Sequence, residues 1–448
     1  MTVRRALSLI LASYIALNLS YGLATPLWEA PDEPSHYLYA EYLASHASLP
    51  TPQPPLQGHF YQSGYATSLY EWYQPPLYYT LVAAPLALFN ALYQRLMPVV
   101  FPSVNPRFPH ESIALFVHEP QGLVERLLMP PGPRLARLLS TALGILTLLV
   151  TFKLAATISA GDNLVALAAT GFVAFIPQFT AITAYITSDN LADLIAGLCL
   201  LVLFSVVTRP ASRDNRLVTA AGLLVFLGFL TKLTLLFLFP FGCLCFIVRA
   251  ASHRSAQQLF GDLARFSITA IGPSLLWLAW TPTAQTQLTY AIASLTPRPE
   301  YVSLQYVLNL WPLSHASFWG RFGWMNVATP DWVSYLLDIM ALAGVLGVVR
   351  LWYRCPRASV HLRAQIPLLG VVCLLVLAGF IRFNLAAYQP QGRLLYAALP
   401  AFAILISLGL LHLSDRRRVL AAIAMIALPL ILNIVSLVGS LMPAYSSG

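Results

Sequence analysis

The chain has 448 residues, 58% of them hydrophobic and only 10% charged, with a mean hydropathy of +0.69. A chain so poor in charge cannot keep its surface in water, so lipid is its solvent and a soluble globular domain is excluded. The net charge of +9 does not point to nucleic acid. The basic residues, all arginine except Lys153 and Lys232, fall in short loops between apolar runs and build no single face.

The first apolar run, about residues 6–25, follows Arg4 and Arg5. It is longer than the apolar stretch of a secretory signal and reads as a membrane span. Beyond it comes Pro31-Asp32-Glu33-Pro34-Ser35-His36. Proline is favoured in a first helical turn, so a helix is expected to start near Pro34 with both acids at its amino end. Two readings stay open there. Either the acids cap the helix against its dipole, or Asp32, Glu33 and His36, spaced within one turn, converge on one point. Convergence would let them ligate a divalent cation, or set a carboxylate as a general base in a cleft.

Glu71-Trp72-Tyr73-Gln74-Pro75-Pro76-Leu77-Tyr78-Tyr79 opens a second apolar run, about residues 75–97. Its tyrosines suit a membrane interface, while Glu71 and Gln74 could bind sugar hydroxyls or assist a metal. Further spans are expected near residues 137–158, 163–180, 188–207, 217–231, 233–249, 265–281, 332–349, 365–381, 394–413 and 419–440. With the first run that makes eleven, in one all-helical membrane domain over residues 1–448. Asp189 opens one of these spans and Asp193 lies one turn further in. An acid inside a span is costly unless it faces partners or a cavity, and Asp189 equally suits a cap.

Orientation follows from charge. If residues 75–97 do not cross, Arg4, Arg5, Lys153, Arg209, Arg213, Arg216, Arg249, Arg254, Arg265, Arg350, Arg354, Arg357, Arg363 and Arg416 to Arg418 share one side. Only Asp162, Asp214, Asp262 and Asp415 accompany them. That side is then cytoplasmic, the N-terminus is inside, and residues 75–97 lie in the outer interface as an amphipathic or re-entrant helix. Two large outer segments result, residues 26–136 and 282–331. Lys232, Arg321, Arg382 and Arg393 break the bias as external cations. Snorkelling explains any one of them; an anionic lipid headgroup, gripped by paired hydrogen bonds, would explain them together.

The remaining signals are bland. His46, His59, His110, His118 and His315 lack metal-ligand spacing and read as surface residues. Cys199, Cys243, Cys245, Cys355 and Cys373 form no disulfide or zinc pattern. No nucleotide, zinc-protease or serine-hydrolase motif is present, and no internal repeat.

The acidic pair after the first span, the Gln-Pro-Pro-Leu-Tyr-Tyr run at Gln74 to Tyr79, the Thr231-Lys232 pair and Gln391-Gly392-Arg393 before a late span together resemble the GT-C superfamily of membrane glycosyltransferases. More narrowly they resemble the domain-of-unknown-function 2142 family of prokaryotic membrane proteins. The match in motif order runs from about residue 28 to residue 400. The resemblance implies inverting transfer of a sugar from a polyprenyl-phosphate carrier to a glycan, lipid or protein acceptor, on the outer face of the cytoplasmic membrane. The superfamily often uses a divalent cation, here magnesium or manganese; the missing nucleotide motifs and the scattered basic residues point to neither a nucleotide cofactor nor a nucleic-acid partner. The resemblance places Asp32 as base or metal ligand with Glu33 in support, and the spacing of the cluster adds His36 as a third ligand. Substrate contacts are expected from His36, Glu71, Gln74, Asp189, Lys232, Arg321, Gln391 and Arg393. The superfamily often has histidine or lysine immediately before the two prolines, where this chain has Gln74. Two other functions stay open. A transporter or flippase of lipid-linked glycans would need polar groups along a path through the midplane, such as Asp193. A non-catalytic assembly protein would need none.

Overall fold

The computed structural model describes residues 2–53, 66–93, 101–118, 131–208, 215–253, 255–354 and 360–446. His59, Arg209, Arg213, Asp214, Arg254, Cys355 and Arg357 lie outside the described residues. In chain order the helices are α1 (Val3–Ala24), α2 (Glu33–His46), α3 (Leu77–Tyr93), α4 (Pro131–Ile158), α5 (Asn163–Phe175), α6 (Pro177–Ile182), α7 (Asp189–Thr208) and α8 (Asn215–Phe229). They continue as α9 (Leu238–His253), α10 (Ala256–Trp280), α11 (Pro282–Ser294), α12 (Leu304–Trp319), α13 (Asp331–Arg354), α14 (Val360–Asn384), α15 (Leu399–Leu413), α16 (Arg418–Ser436) and α17 (Met442–Ala444). A two-residue hairpin, β1 (Arg321–Phe322) against β2 (Val327–Ala328), joins α12 to α13.

Among the described residues, nine helices are long and apolar enough to cross a membrane. Two more expected spans, 163–180 and 217–231, correspond to the shorter apolar helices α5 and α8. The ambiguous run at 75–97 corresponds to α3, which carries Pro85 in its interior and packs along α2. Lipid-facing sides are apolar: α10 exposes Ile268, Leu275 and Trp280. Polar starts are capped by side chains. Asp162 accepts from the amides of Leu164 and Val165 ahead of α5, and Ser255 and Ser303 do the same for α10 and α12.

One expected span is broken, and the break positions the site. Pro177 lacks an amide hydrogen and ends helical bonding at Phe175. After the short α6, residues 183–188 run as buried irregular backbone before α7 begins. Bare carbonyls and amides inside an apolar bundle need internal partners. Three asparagines supply them from three different helices. Asn18 of α1 donates to the Thr180 carbonyl (2.9 Å), Asn190 of α7 to the carbonyls of Ile182 (3.3 Å) and Tyr185 (3.1 Å), and Asn433 of α16 to the Phe175 carbonyl (3.1 Å). The irregular backbone thereby becomes a fixed floor beneath the loop that follows α1.

Candidate functional site

Two consecutive acids at the start of α2 turn opposite ways. Glu33 is fully buried and faces Arg137, near the start of α4. Its Oε1 accepts from Arg137 Nε (2.8 Å) and from the Ile186 amide (3.2 Å). Its Oε2 accepts from Arg137 Nη2 (2.7 Å) and the Trp28 amide (3.0 Å). Arg137 also donates to the carbonyls of Gly22 (2.7 Å), Thr25 (3.1 Å) and Pro26 (3.3 Å) at the end of α1. All five guanidinium hydrogens and both carboxylate oxygens are thus engaged. The pair ties α1, α2, α4 and the floor segment together.

Asp32 occupies the N-cap position of α2 in the left-handed region (φ 64, ψ −1) and makes no side-chain cap bond. The cap reading is therefore corrected. That backbone turn sends the carboxylate away from the first-turn amides, toward Tyr70 Oη (2.8 Å) and Arg393 Nη2 (2.5 Å). The expected convergence of Glu33 with Asp32 and His36 is corrected as well. The acid that joins those two is Glu71, whose amide is held by Ser35 Oγ (2.9 Å). One ligand atom each from Asp32, His36 and Glu71 lie within 4.8 Å of one another. Glu71 Oε2 is buried and has no hydrogen-bond partner among the described residues, a costly condition that a cation would relieve. Tyr79 Oη takes His36 Nδ1 (2.9 Å), leaving Nε2 as the nitrogen able to ligate. Tyr79 is in turn fixed by stacking on Tyr39, centroids 3.9 Å apart. Two carboxylates and an imidazole suit a divalent cation that accepts mixed oxygen and nitrogen ligands.

The electrostatics follow from burial and charge. Burial alone would raise the Asp32 carboxyl, but Arg393, with help from His36 and Tyr70, holds it below the usual carboxylate range. Burial and the neighbouring Asp32 charge push Glu71 up to about 7. Burial lowers His36 to about 4, against the pull of Asp32.

The cations come from two distant segments. Lys232, just after α8, pairs with Asp189 Oδ1 at the first residue of α7. Arg393 adds a looser contact from Nη1 to Asp189 Oδ2 at 3.7 Å. Gln391 Oε1 accepts from Arg393 Nε (2.6 Å) and so orients the fork. Gly392 between them is required by space, since a Cβ there would lie 2.3 Å from the Phe318 amide nitrogen. The Leu77 amide donates to the Leu230 carbonyl (2.9 Å), which joins the Pro75-Pro76 start of α3 to the turn carrying Lys232.

The structure thus brings together Asp32, His36, Glu71, Asp189, Lys232, Gln391 and Arg393, with Gln74 hydrogen-bonded to Glu71. Glu33 lies behind this group in its own ion pair. Arg321 is not brought in: its Nε is spent on the Met325 carbonyl inside the β1–β2 hairpin, and its amide on Gln178 Oε1. Arg382 is also elsewhere, on the Leu295 carbonyl. His118 and His315 are not plain surface residues, since they pair with Glu29 (2.8 Å) and Asp338 (2.9 Å). Arg137, Tyr70 and Tyr79 were missed as contributors to this region. Arg137 carries a readable signal, being a cation at the same ends of the apolar runs as Lys232 and Arg393.

No family model matches the chain, and no curated relative does. Among solved structures, it is similar to the oligosaccharyltransferase of Archaeoglobus fulgidus in its apo form, at 14% identity and a TM-score of 0.46. That match covers 99% of this chain but 55% of the other, so the chain spans about half of that protein's length. It is also similar to ArnT from Cupriavidus metallidurans bound to undecaprenyl phosphate, at 14% identity and a TM-score of 0.46, covering 97% of this chain and 73% of ArnT. A further match, at 12% identity and a TM-score of 0.49, is the archaeal oligosaccharyltransferase in complex with zinc and sulfate, covering 96% of this chain and 53% of that one. Likenesses this distant assign neither a family nor a reaction.

Proposed function

We propose that this chain is a membrane glycosyltransferase of GT-C type, with eleven spans, acting outside the cytoplasmic membrane on a polyprenyl-phosphate-linked sugar. The observation that carries the reading is the buried cluster itself. Carboxylates able to serve an acceptor and cations able to hold a phosphate lie in one connected cluster. The neighbouring structures, one bound to undecaprenyl phosphate, agree with this reading without establishing it.

In the proposed reaction the acceptor hydroxyl attacks the anomeric carbon of the donor sugar. The new glycosidic bond forms as the bond from that carbon to the phosphate oxygen breaks, and the lipid phosphate leaves with the electron pair. Arg393 and Lys232 hold the phosphate oxygens and neutralise the charge that grows on them, which is the largest expected catalytic contribution. Asp32, ionised and released by Arg393 as the guanidinium engages phosphate, takes the proton from the acceptor hydroxyl. Asp32, His36 and Glu71 would hold a divalent cation, whose positive charge would further stabilise the departing phosphate. Glu33 keeps Asp32 in place through its pair with Arg137.

A transporter is less well supported. Beyond Asp193, α7 continues to Thr208 without another acidic, basic or histidine residue, so that helix offers no charged path onward. The deciding experiment is mass spectrometry of lipid-linked sugars and surface glycans in cells lacking the protein, complemented with wild type or Asp32→Asn. A glycan defect that wild type repairs and Asp32→Asn does not is expected; full repair by Asp32→Asn would remove the catalytic assignment. Topology is checked by labelling Thr51→Cys in intact cells with an impermeant maleimide. Labelling only after cell lysis would invert the orientation.

A further inference from the structure

The cluster contains one carboxylate that the proposed reaction leaves without a role. Asp189 sits between the two cations, with Oδ1 on Lys232 and Oδ2 facing Arg393 Nη1 at 3.7 Å. It is buried, and among the described residues its side chain has one further hydrogen bond, a long one from Thr187 Oγ1 at 3.4 Å. Asp32 differs sharply, holding the same arginine at 2.5 Å with Tyr70 on its second oxygen. Arg393 therefore has one firm carboxylate partner, one firm amide partner in Gln391 at 2.6 Å, and one loose seat.

Two cations drawn from the Lys232 turn and the Gly392–Ala398 turn would repel each other in a site this dry if nothing anionic lay between them. A single carboxylate with one oxygen toward each cation resembles, in charge and spread, two oxygens of a phosphate. We propose that Asp189 is a positioning residue that stands in for an anionic headgroup. It keeps Lys232 and Arg393 aimed at one point between substrates, and yields them when a phosphate enters. This inference rests on the preceding reading, in which those two cations receive a lipid phosphate, and extends it to how the site keeps its geometry between substrates.

The stand-in role makes a counterintuitive demand: removing the Asp189 charge should strengthen phosphate binding. Purified full-length protein in neutral detergent is titrated with dodecyl phosphate, with dodecanol as the uncharged control. Asp189→Asn should bind dodecyl phosphate at least tenfold more tightly than wild type, and Asp189→Glu should bind as wild type does. Lys232→Gln and Arg393→Gln should each bind at least tenfold more weakly. Because Asp189→Asn takes the carboxylate from Lys232 and leaves Arg393 with Asp32 alone, its thermal midpoint is measured as well. Dodecyl phosphate should raise that midpoint by more than it raises the wild-type one, because the added anion replaces the missing carboxylate. If Asp189→Asn binds no more tightly than wild type, or gains no extra thermal protection, Asp189 is only a structural partner and the inference is overturned. If instead no variant, wild type included, binds dodecyl phosphate better than dodecanol, both this inference and the donor-phosphate reading of the site fail. Binding that depends on Lys232 and Arg393 but is indifferent to Asp189 overturns this inference alone.

Discussion

Asp32 and Glu33 are neighbours in sequence, both are acids, and each pairs with an arginine more than 100 residues away. Their surroundings nevertheless separate them. The Glu33–Arg137 pair is closed: every donor of the guanidinium and both oxygens of the carboxylate have partners inside the protein. The Asp32–Arg393 pair is open, adjoined by a Glu71 oxygen with no hydrogen-bond partner among the described residues and by Asp189, which reaches Arg393 only at 3.7 Å. A saturated ion pair has nothing left with which to bind a ligand, and its geometry is over-determined. An unsaturated one retains binding capacity, at a cost in stability that a ligand can offset.

The contrast can be broken by experiment, beginning with the largest effect. Arg137→Met leaves Glu33 charged and buried and should destabilise the protein by about 3–5 kcal/mol. Loss of monodisperse protein on fluorescence-detected size exclusion would register this, and a normal profile would show that the closed pair is not an anchor. Asp32→Asn should leave that profile intact while lowering sugar transfer by about 10²–10⁴-fold, read by mass spectrometry of the products. Asparagine tolerates the left-handed backbone, so a folding defect there would blur the distinction between the two pairs. Tyr79→Phe removes the hydrogen bond to His36 Nδ1 and should weaken manganese binding by about 10–100-fold, measured calorimetrically on purified protein. Unchanged manganese affinity would argue against the Asp32, His36 and Glu71 ligand set. Gly392→Ala should cost about 1–3 kcal/mol through overpacking against Phe318, visible as a lowered thermal midpoint without loss of folding.

Helical architecture was legible because hydropathy sets it: nine of the eleven expected runs meet a helix long and apolar enough to cross a membrane, and the runs at 163–180 and 217–231 meet shorter ones, the first interrupted at Pro177. Three of the site's participants, Lys232, Gln391 and Arg393, could be read because they lay on the side where cations are scarce or next to one that did. What could not be read was the division of labour between Asp32 and Glu33. It depends on a single left-handed residue and on which distant arginine each acid meets, and neither leaves a mark in residue spacing. Arg321 misled for the same reason. It carries the same out-of-place charge as Arg393, but a tight hairpin consumes its hydrogen bonds locally. Pro177 was visible in sequence; the three asparagines that repair its break sit on helices too far apart in the chain to be associated with it.

The left-handed turn at Asp32 also narrows what substitution can do there. Most side chains in that conformation cost about 1–2 kcal/mol, whereas asparagine and glycine are accommodated. Under the proposed function, a descendant that lost the transfer reaction and kept the fold would therefore drift at this position mainly toward Asn or Gly. Glu33, locked to Arg137, would not be released by that loss. Under the proposed function, an acid at both positions is expected of a relative that keeps the transfer reaction, and an acid at the second alone of one that keeps only the scaffold.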